Sequence, residues 1–303
     1  MSKFDSMPDK SEIPASTNLV LAFAIGAAFV LTLTVMPYWL GGHVWAMLLI
    51  TLLVVPLNTP LWSLIHEAIH RNFHPHRTVN EFAGRSLSIL FGASFGVLRF
   101  GHLMHHQYNR DWENEYYSGS KLAAWIKHYF HMLGGLYITE VATSYLVALC
   151  PAPLTRKLAR RLFSDDRHFE AVMNSLLKAD NVKRIRTDCL WITFIYTCVF
   201  MIFGAAWIVP VVALLGRAVI ISIMDNSYHY GTPQDGSVPA KELETSNFYS
   251  RFILNFNYHL THHNHVALPW SRLAEKHKEE MTPFNEGLGT ALAAQFKGPI
   301  KTD

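Results

Sequence analysis

The sequence predicts an all-α integral membrane protein, with about four transmembrane helices in two hairpins and a cytoplasmic helical cap that carries the histidines. Three observations carry that reading. Half of the 303 residues are hydrophobic and only 16% are charged, where a typical soluble domain is about 25% charged. Residues 19–40, 44–65 and 189–224 are apolar runs that reach the ~20 residues needed to cross a bilayer core, the last being long enough for two crossings. Lysine and arginine crowd one loop between those runs, as they do in cytoplasmic loops. The net charge of +3 supplies no basic field for nucleic acid. Cys150, Cys189 and Cys198 lack C-x-x-C spacing and read as buried thiols, neither a disulfide frame nor a zinc site.

Residues 1–18 are polar and carry both charge signs. They lack the basic start, short apolar run and small-residue cleavage site of a secretory signal, and read as a flexible cytoplasmic tail. A membrane unit over residues 19–275 follows, then a cytoplasmic carboxyl tail over 276–303. Ser16 or Thr17 is placed to cap the first helix, and Gly41, Gly42 and His43 turn the chain into the second. Pro56, Asn58 and Pro60 interrupt that second run, so a kink and a polar, inward-facing patch are expected there. Residues 87–98 are apolar but too short to cross, which suits a re-entrant or interfacial piece. Residues 133–151 contain Glu140 and are read as not fully crossing. The loop over 154–186 holds Arg156, Lys157, Arg160, Arg161, Arg167, Lys178, Lys183, Arg184 and Arg186, and so is assigned to the cytoplasm. Gly204 and Pro210 offer the break within 189–224. This topology puts both termini and every histidine cluster on the cytoplasmic side.

Those clusters are the chemical signal. "HEAIH" supplies His66 and His70; "HLMHH" supplies His102, His105 and His106; "HLTHH" supplies His259, His262 and His263. Residues three and four apart share a helix face, so each cluster is expected to present its imidazoles in one direction. Eight such nitrogens exceed what one metal takes and suit two. "HEAIH" also matches the zinc-protease pattern H-E-x-x-H, with Glu67 as base. A zinc protease has no use for six further histidines, and a thiolate-free imidazole site suits iron.

Across roughly residues 45–275 the chain resembles the membrane fatty acid desaturase and hydroxylase superfamily. The likeness lies in the three histidine boxes, their order, and the continuation "THHNHVALPWSRL". It implies a non-haem di-iron centre (two Fe), dioxygen as co-substrate, and removal or replacement of hydrogen on unactivated carbon of a lipid or fatty acyl chain at the membrane. It implies His66, His70, His102, His105, His106, His259, His262 and His263 as metal ligands. Relatives often add one histidine between the last two boxes, and "DNSYHYG" offers His229 as the ninth. Asn226 and Asn257 can hold a metal-bound water or cap helix ends, and the caps are favoured. Asp225, Glu67, Asp111 and Glu113 are candidates to accept the second N–H of a ligand ring. His74, His76 and His265 read as bystanders, and His43 lies at the opposite face. Electrons come from an external donor, ferredoxin- or cytochrome b5-like, for which the basic loop is a candidate dock. Within the superfamily, a desaturase is favoured over a hydroxylase, carotenoid oxygenase or oxidative decarboxylase. Outside it, the rivals are a membrane haem electron-transfer protein and a membrane zinc hydrolase.

Overall fold

The computed structural model of the chain describes residues 9–108, 115–162, 169–233, 235 and 237–302. Among them the architecture is helical. The helices are α1 (Ala15–Leu40), α2 (Val44–Ile69), α3 (Arg77–Phe91), α4 (Phe95–Tyr108), α5 (Lys121–Leu149), α6 (Ala152–Leu162) and α7 (Phe169–Leu176). They continue as α8 (Ala179–Phe203), α9 (Ile208–His229), α10 (Asn247–Phe252), α11 (His259–Asn264), α12 (Trp270–Glu279) and α13 (Leu288–Ala294). Two tiny parallel strand pairs complete it: β1 (Tyr116–Tyr117) with β4 (Ile300–Lys301), and β2 (Leu243–Glu244) with β3 (Glu286–Gly287).

Among the described residues, five helices are long and apolar enough to cross a membrane: α1, α2, α5, the α8 segment and α9. The sequence reading of about four, in two hairpins, therefore falls short by α5. The sequence reading takes only residues 133–151 there, with Glu140 against a full crossing, whereas the helix runs back through "KLAAWIKHYF" to Lys121. A break does survive there, for Leu133 and Gly134 leave helical φ/ψ and Gly134 has φ 127°. Gly41 and Gly42 take positive φ at the α1–α2 turn, as expected. Exposed Tyr38, Trp39 and Trp45 flank that turn, and exposed Trp207 marks the α8–α9 turn, the placement of an interfacial aromatic belt. The expected Ser16 or Thr17 cap is absent. Pro14 precedes the first turn of α1, which has no side-chain cap.

Residues 87–98 prove to be the elbow of a broken pair, α3 and α4, bent by 100°. A bend at membrane depth must have its backbone polar groups satisfied by protein. Three of the candidate spanning helices do this. From α9, the buried Arg217 donates to the carbonyls of Leu90 (3.1 Å) and Phe91 (2.6 Å). Tyr137 of α5 donates to Phe91 O at 2.6 Å, and Tyr196 of α8 to Leu90 O at 2.8 Å. Beyond the elbow, Ser94 N–H donates to Ser144 Oγ (3.1 Å), and Ser94 Oγ donates to buried Asp188 (2.8 Å), which also pairs with Arg85. Gly92 sits at the corner with φ 92°, where a Cβ would lie 2.7 Å from the Tyr137 hydroxyl. The Pro56–Asn58 interruption of α2 becomes a 3-10 turn at Val55–Leu57, and the buried Asn58 accepts from Arg217 Nε at 2.7 Å. The expected inward polar patch is thus one end of the elbow clamp.

The main core joins α1, α2, α3, α4 and α9 to the segment around Ile253–Phe256. The start of α1 is latched to the histidine end. Asn18 donates to Phe73 O (2.9 Å) just after the first box, and accepts from Trp270 Nε1 (2.9 Å) just after the third. The carboxyl-terminal segment packs back, with Gln295 receiving Asn226 Nδ2 at 2.7 Å and Ile300 pairing with Tyr116.

Replacing Arg217 with methionine leaves the Asn58 acceptor and part of the elbow without donors. The expected loss is about 3 kcal/mol of stability, read as a lowered thermal midpoint in detergent; an unchanged midpoint would show that the clamp is not structural.

Candidate metal centre

Four segments bring their histidines to one place. The first box closes α2: His66 lies in its last turn and His70 stops it. Arg71 then takes φ 66°, which turns the chain so that Asn72 N–H reaches Glu67 O at 2.7 Å. The second box rides on α4, His229 ends α9, and the third box is the short helix α11.

All nine sequence-predicted histidines fall into two groups. His66, His70, His102, His106 and His262 form one; His105, His229, His259 and His263 form the other; within each group the nitrogens lie within 4.8 Å of one another. In the five-nitrogen group the Nε2–Nε2 distances are 3.0 Å for His66–His262, 2.8 Å for His70–His102, 2.9 Å for His102–His106 and 3.0 Å for His106–His262. In the four-nitrogen group they are 3.0 Å for His229–His259, 3.3 Å for His105–His263 and 3.2 Å for His259–His263.

The grouping corrects the expectation that each box points one way. Neighbouring residues on a helix diverge by about 100°, whereas i and i+4 nearly eclipse. In the second box, His102 and His106 therefore serve the five-nitrogen group while His105 swings to the other. The third box does the reverse, sending His259 and His263 to the four-nitrogen group and His262 across. The two H-x-x-H-H boxes thus interlock, and each contributes to both groups.

The donors fit a cation in each group. His229 Nδ1–H donates to Pro239 O at 2.9 Å, so its Nε2 carries a lone pair. That lone pair faces His259 Nε2 at 3.0 Å. A neutral imidazole has one N–H, so a cage of converging Nε2 atoms cannot saturate itself by mutual hydrogen bonds. Burial first, then the neighbouring imidazoles, hold His259, His262 and His263 well below the usual histidine range, and His70 down to about 3. Neutral rings with free lone pairs are the form that binds metal.

The outer residues are placed as follows. Glu67 is buried with Oε1 3.8 Å from His66 Nδ1, beyond hydrogen-bond length, and its Oε2 accepts Trp270 N–H at 3.2 Å. Asp225 lies one turn before His229 on α9. Asp111 and Glu113 lie outside the described residues. The favoured capping role of the asparagines is not what the structure has: Asn226 donates to Gln295, and Asn257 accepts from Ser250 (2.7 Å) and donates to Leu243 O (3.0 Å). His74 stacks near His76, and His265 meets Glu280, both outside the two groups. Sequence reasoning missed Phe256, whose ring lies 4.8 Å from that of His66 and 4.7 Å from that of His259, touching both groups. Its signal was an aromatic residue three positions before the third box.

The family described as Fatty acid desaturase matches residues 43–292, most of the chain. Among curated proteins, no match was found.

Because these rings are held neutral, the metal-free protein should lose stability as the pH falls below about 6.5, the ordinary histidine value. There the unfolded chain takes up protons that the folded rings refuse. Thermal melts between pH 7.5 and 5 would read the decline, and a flat profile would mean that the rings are already solvated or charged.

Proposed function

Because the chain belongs to the fatty acid desaturase family, we propose that it is a dioxygen-dependent lipid desaturase that dehydrogenates a fatty acyl chain at a histidine-held pair of irons. The observation that carries this reading is the division of nine imidazoles into two abutting, thiolate-free groups of five and four. One iron in each would have a nitrogen-rich shell. When bound, such a pair supplies the activation of dioxygen and the removal of hydrogen from unactivated carbon.

The chain's own work is positioning and shielding. His66, His70, His102, His106 and His262 would hold one iron; His105, His229, His259 and His263 would hold the other. Pro239 O fixes the tautomer of His229 through its Nδ1–H. Phe256 and Trp62, whose rings pack against ligand rings, keep water from the cages. The adjoining apolar helices offer the surface along which an acyl chain would lie. The abundance of imidazole speaks against the zinc hydrolase, which needs three protein ligands and an open position. It speaks equally against a spanning haem protein, because these rings cluster at helix ends.

We place the centre and both termini in the cytoplasm. The basic loop supports this, since its Arg184 reaches Glu81 at 3.4 Å, close in sequence after the first box. The electron donor is external and ferredoxin- or cytochrome b5-like. The exposed basic face of α6 is a candidate dock, although Arg156 and Arg160 are already engaged by Glu170.

Purified protein should contain about two irons and no haem absorption, and expression in a lipid-producing host should add double bonds to acyl chains. Stoichiometric zinc with oxygen-independent hydrolysis would remove the reading, and new alcohols instead of alkenes would move it to hydroxylase. His105→Ala and His262→Ala should each abolish turnover. His229→Ala leaves three nitrogens in the smaller group and should lower iron from about two to about one per chain, measured by metal analysis.

A further inference from the structure

We propose that Glu242 is a positioning residue that caps the third histidine box from outside its own segment, and that retention of both irons depends on it. The inference rests on the di-iron reading above.

α11 is a six-residue helix whose N-cap, Tyr258, makes no side-chain bond. The first N–H groups of any helix lack partners within it. Glu242 supplies the missing acceptor. Its Oε1 receives Thr261 N–H at 2.5 Å and Thr261 Oγ1–H at 2.6 Å. Thr261 lies inside the box, between His259 and His262. Both bonds are short, and together they tie one carboxyl oxygen to the backbone and the side chain of the same residue.

Glu242 is itself fixed. Its N–H donates to Asn285 Oδ1 at 2.7 Å, and its carbonyl accepts Asn285 N–H at 2.9 Å. It bridges to Tyr258, and the next residue, Leu243, bonds Asn257 O at 3.0 Å. The carboxyl is fully buried, and its other oxygen faces His277 Nδ1 of α12 at 3.6 Å. A buried carboxylate is expensive unless it is bonded. Here its bonded oxygen is directed at a helix that, like α4, donates to both groups, His262 to one and His259 with His263 to the other. A small rotation of α11 would displace nitrogens in both cages together.

The test is iron(II) retention by the full-length chain in detergent, under chelator competition, with far-UV circular dichroism as the control for folding. Glu242→Ala should weaken retention 10- to 100-fold, the usual effect of losing an outer partner of a metal site. Glu242→Gln keeps an acceptor oxygen and should restore most of it. Thr261→Val removes only the hydroxyl bond and should fall between. Should the alanine variant fail to fold, glutamine and valine still decide: wild-type retention in Thr261→Val overturns the proposal. So does wild-type retention in Glu242→Ala, or equal loss in the alanine and glutamine variants. A wild-type chain that binds no iron at all overturns the di-iron reading itself, a result separate from any difference among the variants.

Discussion

Imidazoles that converge nitrogen to nitrogen, in two groups, set the constraint around which the rest of this molecule is arranged. Nine rings approach one another through Nε2 at about hydrogen-bond distance, yet each has a single proton to give. Their rings are largely buried, which keeps them neutral and removes water as an alternative partner. The protein scaffold must therefore bring four distant segments to one place and hold them there without help from the solvent.

Helix geometry solves most of this. A two-histidine box at i and i+4 can serve one metal, while a third ring one residue earlier is turned away by about 100° and serves its neighbour. Two such boxes facing each other in opposite sense give two cages with a shared wall. The second box must then approach at a steep angle, and the α3–α4 elbow provides it. The elbow leaves carbonyls without helical partners, so α5, α8 and α9 each contribute a polar side chain to cover them. Polar residues within these apolar helices serve the architecture.

Much of this was legible in the sequence because histidine spacing is a local property. The three boxes, the incomplete crossing at residues 87–98 and the polar patch at Asn58 all follow from short-range pattern, whereas His229 comes from the family resemblance. What was hidden depends on distance. The split of each box between two cages requires a facing partner to be noticed. The fifth long helix was obscured because Lys127, His128 and the glycine pair interrupt hydropathy without stopping the helix. Asn226 and Asn257 were read as caps because nearby helix ends are visible in sequence, whereas their partners, Gln295 69 residues away and Leu243 on a separate strand, are not. The bond between Glu242 and Thr261 spans 19 residues and leaves no motif.

The latch at Asn18 bears on how the molecule is made. Two of its partners, the carbonyls of Asn72 and Phe73, lie 54 and 55 positions on, whereas the third, Trp270, lies 252 positions on. The Asn18 Oδ1 therefore goes without its indole donor until the segment after the third box has left the ribosome. The last box becomes available at the same late moment. Completion of the two histidine groups and final docking of α1 thus belong to one late event in biogenesis.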